Sequence, residues 1–195
     1  LESCKINMKE RNNMNIKKSF FLTVFFLLLY KKPLSKITIG DLLEDTELSR
    51  QTFYNHFLDK NDLIAYVYDT VIVNQFDEDM SIDFKPSLTQ TLNSLKEYET
   101  FIEQACLIDG QNSLKEHMLN HCIKFDLKWH EHCIGEPLSK ELKFATLYHT
   151  NASHCMVLQW ILDGMKEPID ELVDNINHMR YLGLKDLLKD HSPYR

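Results

Sequence analysis

A short run of the chain, Arg50, Gln51, Thr52, Tyr54, Asn55 and His56, collects side chains that can read a polar surface. The planar fork of Arg50 matches the O6 and N7 acceptors of guanine. The amides of Gln51 and Asn55 match the N6 donor and N7 acceptor of adenine, and the methyl of Thr52 suits the thymine methyl. Tyr54 and His56 are better suited to phosphate oxygens. Lys60, a few residues on, offers a point charge to the same backbone, helped by the free amides of a helix start. Together this is the chemistry of base-edge readout flanked by phosphate contacts. The bland alternative for the same letters is an exposed, solvated helix face.

Reading bases requires a short helix with one inward and one outward side, and the flanking residues predict it. Thr38 followed three positions later by Asp41 is a capping signal, and the segment it opens carries Leu42 and Leu43. This helix is expected to stop near Thr46 and Glu47, with Leu48 as an apolar plug. Ser49 is a good N-cap for a second helix over Arg50 to Phe57. On it Phe53 and Phe57 stand four residues apart and face inward, leaving the hydrogen-bonding set outside. Asp59 and Asp62 repeat the capping spacing and open a further helix. Two short helices joined by a tight turn follow the plan of a helix-turn-helix.

The run S-R-Q-T-F-Y-N-H-F-x-x-K-x-x-L, Ser49 to Leu63, resembles the DNA-binding signature of TetR-type transcriptional regulators. With the apolar helix before it, the resemblance covers about residues 15–75. Glu47 departs from it, since the family often places Gly in that turn. Within the family the chain looks nearest to the subgroup that includes regulators of dihydroxyacetone kinase operons. The resemblance implies DNA contacts at Thr38, Arg50, Gln51, Thr52, Tyr54, Asn55, His56 and Lys60. It implies a homodimer formed through the last two long helices, a double-stranded operator of near-palindromic sequence, and an unknown small-molecule effector. Repression relieved by ligand is the commoner family behaviour. Activation, or a ligand- or partner-binding module without DNA recognition, are the alternatives.

Composition agrees with a helical protein: 195 residues hold only 5 Gly and 5 Pro. The net charge of −7 is uneven. Residues 1–60 carry ten Lys and Arg against seven Asp and Glu, or +3, and the remainder carries 12 against 22, or −10. This fits a DNA-binding head on an acidic body. Five cysteines without a CxxC pair argue against a disulfide scaffold and for a reducing, cytoplasmic setting. The apolar run Phe20 to Tyr30 is only 11 residues long, too short to span a bilayer, so no membrane association is expected. It reads as part of a buried first helix, Ile16 to Lys32, ending ahead of Pro33.

The expected architecture is all-α. Residues 1–14 form a disordered arm or sequence upstream of a natural start at Met8 or Met14. Residues 15–60 form a three-helix helix-turn-helix head, joined by a fourth helix to a helical ligand-binding and dimerisation body over residues 61–195. The fourth helix is expected from Lys60 to about Phe76, with a boundary over Asp77 to Lys85. Further helices are expected over Ser87–Lys96, Thr100–Asp109, Ser113–Cys133 and Lys140–Met165. The last long helix opens at Pro168, and a short tail follows over Leu184–Lys189.

The body offers two other constellations. His121-Cys122, His132-Cys133 and His154-Cys155 are adjacent pairs, and His117 with His121 are four apart, a spacing that can chelate a metal. Adjacent helical positions diverge by about 100°, however, and a buried Cys is usually a small apolar residue, so no metal or other cofactor is assigned. No Gly-rich phosphate loop, GxSxG or HExxH occurs, and no catalytic residue is assigned. Tyr98, Phe101, Phe125, Trp129, Tyr148, Asn151, His154 and Trp160 lie on helices that would surround an effector pocket, although aromatics at helical spacing are more often plain core.

Overall fold

The computed structural model describes residues 2–44, 48–73, 83–188, 192 and 194, with side chains from Ile16 onward. The fold is all-α, with no strand among the described residues. It divides into two compact units, Leu1–Val67 and Tyr68–Arg195.

The first unit holds α1 (Glu2–Lys31), a 3-10 turn (Leu34–Lys36), α2 (Ile39–Glu44), α3 (Arg50–Tyr54) and most of α4 (Lys60–Val71). Helix α1 begins well ahead of the expected Ile16 and stops before Pro33, which disfavours helical backbone at the preceding residue. Its Phe21 is fully buried and meets Phe53 of α3 edge-on at 5.5 Å and Phe57 at 5.7 Å. Such aromatic contacts add to the gain from apolar burial.

Capping fixes the ends of these short helices. The Thr38 amide donates to the Asp41 carboxylate at 2.7 Å and the Asp41 amide to Thr38 Oγ1 at 3.2 Å, a reciprocal box. Lys32 pairs with Asp41 at 2.6 Å. Lys32 and the Thr38 backbone amide together hold the Asp41 carboxyl down to about 2. The Asp62 amide donates to Asp59 Oδ1 at 2.8 Å, and Asp62 in turn accepts from the Leu58 amide at 2.9 Å. The turn residues Thr46 and Glu47 lie outside the described residues, as does the expected boundary from Asp77 through residue 82.

The second unit holds the end of α4, α5 (Phe84–Glu97), α6 (Glu99–Cys106), α7 (Leu114–Ile134), α8 (Lys140–Leu162) and α9 (Ile169–Leu188). Helix α8 is central, packing on α6, α7 and α9, while α5 lies along α9. Helix α7 is capped as expected: Ser113 accepts from the Glu116 amide, and Gly135 ends the helix in the left-handed conformation at φ 70°.

Several boundaries of the second unit differ from the sequence reading, among them the end of α6, at Cys106 and not Asp109. Helix α5 begins at Phe84, not Ser87, because Pro86 is tolerated in a first turn whose amides lack partners anyway. Helix α8 ends at Leu162, not Met165. There the Gly164 amide bonds Ile161 O and the Met165 amide bonds Trp160 O, a Schellman closure with Gly164 at φ 77°. The expected tail from Leu184 is instead the end of α9, which runs through Gly183 without a break. A Cβ at Gly183 would fall 1.9 Å from His149 Nε2 of α8, so this glycine permits the close approach of the two helices.

Candidate DNA-reading face and ligand cavity

Helix α3 is held from both sides. Ser49 Oγ accepts from the Thr52 amide at 3.1 Å at its start, and Phe53 anchors its inner face with no solvent exposure. The helix ends at Tyr54, earlier than the expected Phe57, as the His56 amide reaches back only three residues to Phe53 O at 2.9 Å. This tightening lets the chain turn into the Asp59–Asp62 box of α4.

Arg50, Gln51, Tyr54 and Asn55 are exposed on the outer face, and Thr52 is half-buried. Gln51 Nε2 donates to Asn55 Oδ1 at 2.9 Å, so the two amides are aligned before any partner arrives. Each keeps further capacity, Gln51 as donor and acceptor and Asn55 as donor. Thr38 is exposed, but its hydroxyl donates to Asp41 at 2.8 Å within the cap. His56 is half-buried and its Nδ1 has no hydrogen-bond partner. Burial, with Lys17 and Lys18 nearby, lowers its pKa.

Lys60 does not stand free at the helix start. Its ammonium donates to Leu34 O and Ile37 O, both at 3.0 Å, closing the 3-10 turn from α4. The side chain is half-buried, and burial lowers its pKa. Its first role is internal.

The second unit holds a partly open cavity of about 130 Å³. Tyr68 of α4 and Ile72 and Val73 just after it line one side, and α5 supplies Phe84, Leu88, Leu92 and Leu95. Met118, Phe125 and Trp129 come from α7, and Ser153, His154 and Val157 from α8. Of the eight residues expected around a pocket, Phe125, Trp129 and His154 line it. The other five do not. Phe101 and Trp160 are buried core, and Trp160 Nε1 donates to Glu167 O at 2.9 Å. Tyr98 is half-buried away from the cavity. Tyr148 is 64% exposed, and Asn151 lies exposed one residue pair along, with Nδ2 donating to Leu147 O at 2.7 Å. Both occupy the outer face of α8.

At one end of the cavity stands a polar network that sequence reasoning missed. Arg180 of α9 pairs with Asp126 of α7 at 2.8 Å, with 5% and 7% side-chain exposure. Arg180 Nε donates to Ser153 Oγ at 2.9 Å and Nη1 to Tyr194 Oη at 3.3 Å. Thr150 Oγ1 donates to Asp126 Oδ2 at 2.5 Å. Burial opposes the Arg180 charge, but Asp126 and the Tyr194 hydroxyl outweigh it and hold the guanidinium charged. The guanidinium also lies over the Phe84 ring at 4.4 Å.

The network continues through His130. Thr146 Oγ1 spends its proton on Leu142 O at 2.8 Å, so the 2.8 Å contact with His130 Nδ1 requires the ring to donate there. His130 Nε2 then accepts from the Tyr194 hydroxyl at 2.6 Å. The ring is neutral: burial pushes His130 down to about 4, and burial also pushes the Tyr194 phenol up.

The histidine and cysteine pairs do not converge. His117 Nε2 is bound to Asp69 at 2.7 Å, and no group of three metal-ligating side chains occurs among the described residues. Cys106, Cys122, Cys133 and Cys155 are free thiols. Burial raises Cys106 to about 11, which makes it an unreactive core residue. None of the described helices is long and apolar enough to cross a membrane.

Two short capped helices on the plan of a helix-turn-helix, followed by a helical unit with a cavity, match the architecture expected from the sequence. Comparison with known proteins agrees. A TetR-type family model, described as a transcriptional regulator C-terminal region, matches residues 83–181. The chain belongs to the TetR-type transcriptional regulators. A solved structure titled dihydroxyacetone kinase operon activator DhaS shares its fold with a TM-score of 0.61. That likeness covers 88% of this chain and 97% of the other at 18% identity. No curated protein sequence matches the chain.

Proposed function

We propose that this regulator binds a specific DNA operator as a homodimer and is a repressor released by a small-molecule ligand. The observation that carries the reading is the outer face of α3, where Arg50 and the paired amides of Gln51 and Asn55 stand exposed on a capped, core-anchored helix. Thr52 serves a thymine methyl, and Tyr54, Thr38 and His56 serve the phosphates. Residues 15–60 act as the head and 61–195 as the ligand-binding and dimerisation body.

Dimerisation through α8 and α9 is supported by apolar side chains left in solvent. On α8 these are Phe144, Tyr148 and Met156, exposed by 73%, 64% and 50%, at four-residue multiples. On α9 they are Met179 and Leu182, exposed by 61% and 48%. A second copy covering them gives a four-helix contact, and a two-fold pair would place its reading helices about 34–36 Å apart on DNA. The ligand site is the cavity of the second unit, and α4, which belongs to both units, carries its state to the head by a population shift. Activation is the second reading, favoured by the structural neighbour, which is an operon activator.

The test is fluorescence anisotropy on DNA upstream of the protein's own gene, against random DNA of equal length. Specific binding to one imperfect palindrome, with a steep salt dependence, is the expected result. Equal affinity for both DNAs would refute operator recognition. A transcription assay on the same operator separates repression from activation.

A further inference from the structure

The cavity's walls restrict what can enter it. Resting on the proposal that this cavity is the ligand site, we infer that its ligand is a neutral single-ring molecule with one hydrogen-bonding group, and not a carboxylate or an amine. The size comes first. At about 130 Å³ the space is comparable with an engineered apolar cavity of about 150 Å³ that accepts benzene. A single ring fills it.

The surface comes next. Phe84, Leu88, Leu92, Phe125, Trp129 and Val157 make most of the wall apolar. The Phe125 and Trp129 ring centroids lie 6.1 Å apart in a tilted pair, an aromatic wall that a third ring can meet edge-on or offset.

The polar end decides the charge. The cation there, Arg180, is already balanced by Asp126 and directs its other bonds at Ser153 and Tyr194. A ligand carboxylate would meet an ion pair with no excess charge, and an ammonium would meet the same pair. Either would lose its hydration without a new partner of opposite sign. Beside that pair, two lining groups keep hydrogen-bonding capacity. Ser153 accepts from Arg180 but its own proton is unspent. His154, the next residue on α8, reaches the cavity without a hydrogen bond, and burial lowers its pKa. A hydroxyl or carbonyl on the ring can exchange hydrogen bonds with this pair.

Calorimetric titration of the full chain at neutral pH with benzyl alcohol, benzoate and benzylamine tests the assignment, since the three share a ring and differ in charge. Benzyl alcohol should bind, with the charged pair weaker by about tenfold or more. Leu88→Trp, at a position that makes none of the network's hydrogen bonds, fills the ring space and should abolish binding while leaving the melting temperature near the parent's. Benzoate or benzylamine binding as tightly as the alcohol, and lost in L88W, would overturn the charge assignment and leave the cavity as the ligand site. No binding by any of the three, or binding unchanged in L88W, would overturn the cavity as a ligand site as well.

Discussion

Replacing Asp126 by asparagine removes one charge and almost no volume, which isolates the value of the buried ion pair. Arg180 would remain in place with 5% side-chain exposure and lose a carboxylate at 2.8 Å. The hydroxyls of Ser153 and Tyr194 still bond to it, but neutral partners cannot balance a full charge out of water. Breaking one side of such a pair costs about 3–5 kcal/mol. At about 2–4 °C per kcal/mol for a chain of this size, the melting temperature should fall by about 6–20 °C. Guanidinium denaturation followed by circular dichroism measures the loss, at one fixed protein concentration so that any dimer contributes equally. The companion variant Asp126→Leu with Arg180→Met removes both charges, and should recover most of the loss because no unpaired ion is left behind. An Asp126→Asn protein within about 1 kcal/mol of the parent would refute the reasoning, and would mean that Arg180 is solvated from the cavity.

Other expectations follow from single contacts. His130 is held neutral, with its folded pKa depressed from 6.5 to about 4; its contribution is therefore complete above pH 6.5 and is lost as pH falls toward 4, by about 3 kcal/mol. Urea melts of the parent and His130→Gln across that window should show a shallower slope in the variant, and equal slopes would contradict a neutral buried ring. Gly183→Ala drives a methyl into His149 and should cost about 1–3 kcal/mol, whereas the same change made with His149→Ala should be tolerated; thermal melts of both compare them. Lys60→Met should destabilise the first unit by about 1–2 kcal/mol through its two orphaned carbonyls; a lower salt slope of DNA binding at unchanged stability would instead make it a phosphate contact. Arg50→Ala should weaken operator binding by about 1–3 kcal/mol with an unchanged melt, and anisotropy showing parental affinity would exclude it as a reader.

What could be read from the letters was what is decided within one helical turn. The boxes Thr38–Asp41 and Asp59–Asp62 and the caps Ser49 and Ser113 each bond a partner three residues away, so spacing alone announces them. Phe53 and Phe57 were placed inside for the same reason. Tyr148 and Trp160 could not be sorted, because α8 is apolar around its circumference and offers no single inward face. The Asp126–Arg180 pair spans 54 positions on different helices, and nothing local joins them. A trace is in the letters: Asp126 with His130, and Thr146 with Thr150, set polar groups four apart, on one face of each helix.

The hydrogen bonds from Arg180 through Tyr194, His130 and Thr146 to Leu142 O all run in one sense. They cannot be reversed, because a guanidinium has no acceptor and a carbonyl no proton. The cavity therefore has walls of unequal stiffness. On the side of α7, α8 and α9 the backbone is stapled by a chain with a single allowed state. On the side of α5 it is held by apolar packing, the stacking of Arg180 over Phe84 at its first turn, the exposed Lys85–Asp174 pair and a bond from Lys96 to Met165 O. If the proposed ligand needs more room than the cavity offers, α5 is the wall with fewer directed bonds to give up, and the opposite wall is the frame against which such a displacement would be felt.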